Sequence, residues 1–459
     1  MARDRRAGTA IGPLYVRRQT DDNRDSSWDS WRNRLIHLPN ALDARRARAY
    51  AVALMLMTFI PYALLVGQAL SQGTFPLFTD GGPIGGDLAS HLLGGRLALH
   101  GDLSDLYDLD HQRAEWVTWL PTADFNPYVS PPFMALVYAP LAALPYGVAL
   151  LAWTAITVAL VVISLWLLWP LVPNLHRFGK GALLVQVFCA PPALYLLLGG
   201  QDTAVSLAVL VGGLRLFRAG RPMSAGALLG IGVMKPQLIV VIPIFLLAQR
   251  RWRALAGWVG VAGFLTALSI VMVGAQGVRD YMALPKSDFY RLAVVDGKGW
   301  EMQSFVAMAR ALLPKSAAGV VTPLTVTVAV AALAVLVYAV HRAKDEDDRF
   351  VRLYALAILT IPFVSPHLFL YDCLVLVIPV LILIDSGVAM NRVRWALIAA
   401  YPLLWTTPYR HFAVEQATWP LTALEAPWAL VMMLVLYRAL YQLAQGQPRP
   451  VLPCTATTA

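Results

Sequence analysis

Residues 48–70 read RAYAVALMLMTFIPYALLVGQAL, an apolar run with Arg45, Arg46 and Arg48 at its head. A bilayer core takes about 20 apolar residues of helix, so this stretch predicts a membrane-spanning helix. Shortly beyond it stands Gly85-Gly86-Asp87-Leu88-Ala89-Ser90-His91, a polar patch holding a carboxylate and an imidazole. With residues 87–91 helical, Asp87 and His91 are one turn apart and share a face. Apolar runs recur to the end of the chain. Overall it is 58% hydrophobic and only 14% charged, where a soluble domain has about 45–50% apolar residues. The fold this predicts is an all-α polytopic membrane protein, in which one bundle absorbs nearly all of the 459 residues.

The net charge of +10 is not read as nucleic-acid binding. Much of it lies ahead of the first span, at Arg3, Arg5, Arg6, Arg17, Arg18, Arg24, Arg32 and Arg34 and in the Arg45–Arg48 cluster. Such flanking charge holds that end in the cytoplasm and suits anionic headgroups. Residues 1–47 are polar and aperiodic, which predicts a disordered tail. The first apolar run starts too late for a cleaved signal peptide and reads as an uncleaved anchor. Cys189 and Cys373 lie in apolar runs and Cys454 near the end, without a disulfide or metal spacing.

Basic clusters then set a topology. Arg215, Arg218 and Arg221 mark one cytoplasmic turn, and Arg250, Arg251 and Arg253 another. The interval between them is too short for two full crossings. It predicts two short helices, 222–234 and 236–249, broken at Lys235-Pro236, because proline removes a donor and disfavours helix in the residue before it. Such a break at membrane depth is tolerable only inside protein or beside a wet cavity. Further spans are expected at 147–170, 180–198, 202–218, 254–274, 319–341, 350–364, 368–386, 393–407 and 425–443, with a proline-rich half-helix at 131–145. The expected total is about 9–12 membrane helices within a domain of residues 48–445. Loops 71–130, bearing interfacial helices, and 275–318 fall on the outer face. The turn Lys344–Arg349 and the tail 446–459 fall inside.

The residues able to carry chemistry each have a plainer alternative. Asp87 is a general base at the membrane boundary, or the N-cap of a helix 88–100. His91 would orient Asp87 or an acceptor and Arg96 would bind phosphate, or both form the polar stripe of an interfacial helix whose other face carries Leu88, Leu92 and Leu99. Gln201, Asp202 and Lys235 are polar groups at membrane depth, which default to function with a named partner. Lys235 either meets a lipid phosphate or pairs with Asp202. Lys286, Arg291 and Lys298, with Glu301 and Gln303, put cations on the outer face against the usual trend, either for an anionic ligand or as a solvated loop. His367 within Ser365-Pro366-His367 would donate to a phosphate oxygen when protonated, or the segment, with Tyr371-Asp372, is a capped connection. Tyr128 to Phe133 is an interfacial elbow or part of a substrate groove. The aspartates of Gly101 to Asp108 lack calcium-loop spacing and read as a capped turn. No cofactor is expected; the scattered carboxylates leave a divalent ion open, although no carboxylate spacing argues for one.

Several landmarks run in a fixed order. The Gly85–His91 patch leads to Gly95-Arg96-Leu97-Ala98-Leu99-His100-Gly101 and Leu106-Tyr107-Asp108. Then come Pro131-Pro132-Phe133, Gly200-Gln201, Ala225-Gly226 to Lys235-Pro236-Gln237, Arg250 to Ala254, and Tyr371-Asp372. In this the chain resembles glycosyltransferase family 87, membrane transferases with the GT-C fold, over roughly residues 50–445. The resemblance implies a sugar, mannose first, carried on a polyprenyl phosphate. It implies inverting transfer to a lipid or glycan acceptor at the outer face of a bacterial cytoplasmic membrane. The acidic residue after the first span, Asp87 here, would be the base. Phosphate leaves as a stable anion, so no second carboxylic acid is needed, unlike in glycoside hydrolysis. The residues expected on the donor are His91, Arg96, Gln201, Lys235, Lys298 and His367. Broken helices with buried charge also suit a transporter or flippase of lipid-linked sugars, the competing reading.

Overall fold

A computed structural model describes residues 44–446, except 291, 293–296, 343–346 and 388–389. Residues 1–43 of the expected tail, Arg291, the Lys344–Glu346 part of the charged turn and the tail beyond 446 lie outside the described residues, and the first helix begins at Ala44. Within them the chain is helical, and the strand-like pairings are the isolated bridges Leu77–Pro83 and Met302–Phe369. Three helices are long and apolar enough to cross a membrane: Tyr146–Leu171, Trp252–Lys286 and Lys315–Arg342. Shorter apolar helices accompany them, among them Met55–Ser71, Pro132–Ala142, Pro222–Met234, Pro236–Ala248 and Ala429–Ala444. The protein is an all-α, multi-pass membrane protein.

Proline and glycine punctuate these helices as elementary stereochemistry requires. Pro132, Pro191, Pro222 and Pro236 each stand in a first turn, where the missing N–H costs no helical bond. The expected break at Lys235-Pro236 is present: a 3-10 turn Ile231–Met234 leads to Lys235 outside the helical region at φ −129° and ψ 78°, and Pro236–Ile239 begins afresh. Two expected spans are more broken than predicted. Segment 180–198 is a pair, Lys180–Phe188 and Pro191–Leu198, bent by 65° where Pro191 and Pro192 deny the helix its donors. Segment 368–386 divides into a 3-10 turn, Tyr371–Leu376, and a helix, Val377–Ser386.

Apolar side chains gather into two cores. The larger is built from Leu207, Leu210 and Leu214, Phe245 and Leu246, Tyr354, Leu356, Ile358 and Ile361, and Leu430, Met433, Leu436 and Leu440. The smaller joins Leu88, Leu92, Leu93 and Leu97 to Tyr128, Tyr138, Tyr146, Trp153 and Met234. Each of those four leucines is fully buried. Helix Gly86–His100 packs this leucine face on Pro132–Ala142. Ser90 and His91 are buried with the leucines, and Leu99, expected on the apolar face, is 51% exposed.

Candidate active site

Four segments distant in sequence converge on one cavity of about 600 Å³. The first loop contributes Asp87, Asp124, Phe125 and Asn126. The turn after helix Pro191–Leu198 contributes Gly199 and Gln201. The second loop contributes Phe289, Lys298 and Glu301, and the 3-10 turn contributes Tyr371. Both loops singled out by their polarity thus reach the same place.

Asp87 lies in the first turn of helix Gly86–His100, but it is not the cap. The cap position is Gly85, left-handed at φ 73°, with no side-chain capping bond. The Asp87 carboxylate faces the cavity instead. Gln201 Nε2 donates to Oδ2. Lys298 Nζ stands 3.1 Å from Oδ1, and Asn126 Nδ2 is 3.4 Å from the same oxygen. Behind it, the Asp87 backbone N–H donates to the Gly199 carbonyl at 3.1 Å, which ties this helix start to the Gln201 turn. That turn depends on Gly200, at φ 65°. A Cβ there would lie 2.7 Å from Leu88 Cβ and 3.0 Å from the Gly85 carbonyl oxygen. Trp153 Nε1 donates to the Gly200 carbonyl at 3.0 Å and holds the turn in place.

Charge in the second loop responds to this arrangement. The Asp87 carboxylate raises the Lys298 ammonium above its usual range, and Glu301 adds to the effect. Burial pushes Glu301 up to about 7, against the pull of Lys298 and with help from Asp87. The cavity therefore pairs the Lys298 ammonium with Asp87 and holds a second carboxyl, Glu301, poised near neutrality.

The other expected donor ligands stand elsewhere. Lys235 does not line the cavity. It is buried one layer below, 2.7 Å from Asp202 Oδ1 and 3.0 Å from Asp372 Oδ1. His91 is buried beside this cluster, stacked on Tyr138 at 4.6 Å, with Nε2 4.0 Å from Asp202 and Nδ1 3.3 Å from Ser130 Oγ. Arg96 binds Glu115 at 2.6 Å and lies over Trp119. The reason is helical phase: Asp87 and Arg96 are about two and a half turns apart, hence on opposite faces. His367 is outside the cavity wall, its ring edge-on to Tyr290 at 6.0 Å. Of the seven residues expected at the site, Asp87, Gln201 and Lys298 meet there. Asn126 was not foreseen; nothing in its local pattern separates it from other loop residues. Glu301 was left in the loop background, although its spacing of three from Lys298 was a usable signal. Among the described residues no group of three or more His, Cys, Asp or Glu side chains forms a metal-binding arrangement.

The sequence profile of glycosyltransferase family 87 matches residues 128–366, just over half of the chain. The chain belongs to glycosyltransferase family 87. No curated protein and no solved structure matches it. The family 87 match contains Gln201, Lys235, Lys298 and Glu301, whereas Asp87 and Asn126 precede it. The protein is thus a membrane-embedded glycosyltransferase, which requires a sugar donor and an acceptor. Family 87 membership favours transfer over the transporter reading.

Proposed function

We propose that this family 87 enzyme transfers a hexose, mannose first, from a polyprenyl-phosphate donor to a lipid or glycan hydroxyl, with inversion. The transfer would take place at the outer face of a bacterial cytoplasmic membrane. The observation that carries this reading is the Asp87 carboxylate, presented to a cavity between two loops and held by Gln201, Asn126 and Lys298. In the proposed step Asp87 takes the acceptor proton as the hydroxyl oxygen attacks the anomeric carbon. The bond from that carbon to the donor phosphate oxygen breaks on the opposite face. Lys298 turns from Asp87 to the charge developing on the departing phosphate, the role of a preorganised cation. Phe125, Phe289 and Tyr371 supply an aromatic wall for a sugar face or the start of a prenyl chain. No cofactor is required by this scheme.

Glu301 is the competing base, because its value of about 7 suits proton transfer at neutral pH. Asp87 is favoured because three side chains, Gln201, Asn126 and Lys298, aim it into the cavity. The deciding measurement is transfer from labelled polyprenyl-phospho-sugars by the purified enzyme. Asp87→Asn should lose about 10²–10⁴ in rate, the usual contribution of a positioned base, while Glu301→Gln stays within about tenfold. Wild-type turnover by Asp87→Asn would remove Asp87 from the role. Donors differing only in the sugar then test the preference for mannose.

A further inference from the structure

Two pairs of consecutive residues divide between the cavity and an ionic cluster beneath it. Gln201 lines the cavity and bonds Asp87, while its neighbour Asp202 turns inward and takes the Lys235 ammonium at 2.7 Å. Tyr371 lines the cavity, while Asp372 behind it takes the same ammonium at 3.0 Å. Thr203 completes the ring, accepting from Lys235 at 2.9 Å and donating to Asp372 Oδ1 at 2.6 Å. The Lys235 ammonium also sits 5.0 Å from the centre of the Tyr371 ring. Lys235 itself is 9% exposed, Asp202 2% and Asp372 0%.

We propose that Lys235 is a positioning residue that sets Asp87 through Asp202 and Gln201, and Tyr371 through Asp372. This rests on the reading of Asp87 as the base. Side chains of consecutive residues are coupled through the backbone they share. Anchoring Asp202 fixes the dihedrals from which Gln201 projects, and anchoring Asp372 does the same for Tyr371. A site loses competence when its supporting groups let it drift by about 0.5 Å. One ammonium that clamps both inward carboxylates therefore sets the separation of the two wall residues, without touching substrate.

The test is steady-state transfer by Lys235→Met, Thr203→Val and Gln201→Ala, alone and in pairs. Lys235→Met should lower kcat about 10- to 100-fold, and Thr203→Val several-fold, while the KM for the lipid donor stays within about threefold. Lys235→Arg should recover part of the loss. Paired with Gln201→Ala, each variant should cost less than the product of the two single losses, because part of its effect runs through the Gln201–Asp87 hydrogen bond and only the part that runs through Tyr371 remains. A raised donor KM with kcat intact would mean that Lys235 meets the donor, and multiplicative losses would mean that it acts independently of Gln201. Either result overturns the proposal. Should Lys235→Met not be recovered folded, the near-isosteric Thr203→Val carries the same two readouts. Asp87→Asn, measured alongside, separates the premises: full activity there removes the base, while the Lys235–Gln201 coupling is still read directly.

Discussion

Lys298 stands between two carboxyls, bonded to Asp87 and close enough to Glu301 to draw its proton equilibrium downward. Burial wins that contest and leaves Glu301 near 7, where an unfolded chain would ionise it near about 4.3. The folded protein therefore holds a proton that the unfolded chain releases. Stability falls as pH rises through this window, and the lost part stays lost above it. Glu301→Gln removes the penalty. Its melting temperature should exceed that of the parent by a few degrees at pH 8, with the gap closing toward pH 5; an equal gap at both would contradict the assignment. Lys298→Met removes the cation from Asp87 and, in the proposed transfer, from the departing phosphate. Its kcat/KM should fall about tenfold or more, the scale of a charge-assisted hydrogen bond discounted for exposure. At this scale the sequence was partly legible. Asp87 stood out as a carboxylate in a polar patch between apolar runs. Arg96 stood out too, but its helical phase, available from the same letters, already placed it on the far face.

Helix ends were the most legible elements, because proline and glycine act locally. The break at Lys235 follows from Pro236 alone, and Pro191-Pro192 held the same message for the bend at Cys189-Ala190. Helix partners were not legible, since they depend on which surfaces meet. Pro222–Gly230 lies against Trp252–Ala283 so closely that a Cβ on Gly226 would run into the Ala254 carbonyl. Such contact is how small residues let membrane helices approach. Gly226→Val should force the pair apart and cost about 1–3 kcal/mol. Because this helix leads into Ile231–Met234 and Lys235, it should also lower turnover. Gly260→Ala, on the partner helix but with nothing within 4 Å of the new Cβ, is the control and should leave the melting temperature unchanged or raised. Thermal melts and transfer rates in one detergent check both, and equal tolerance at the two positions would show that the contact is slack.

Across the whole molecule, polar chemistry collects where the two apolar cores meet. Met234 belongs to the smaller core and Leu238 to the larger, with Lys235 between them. Tyr138 and Ala204 stand in the same relation on either side of Asp202. A buried charge needs partners, and these come from residues as distant as 235 and 372, a pairing no local pattern encodes. That is why the sequence offered Lys235 as a phosphate ligand and Asp202–Lys235 as a pair without deciding between them. The distribution of charge along the chain makes one further global prediction. Basic clusters around Arg218 and Arg251 should be cytoplasmic, which puts the loop holding Asp87 on the opposite face, beside any lipid-linked donor presented there. In a form with Cys189, Cys373 and Cys454 replaced, Gln72→Cys and Ala219→Cys provide exposed reporters before Asp87 and within the Arg215–Arg221 cluster. A membrane-impermeant maleimide should label Gln72→Cys in intact cells and Ala219→Cys only after permeabilisation. The reverse pattern would turn the cavity toward the cytoplasm and require a donor displayed on that side.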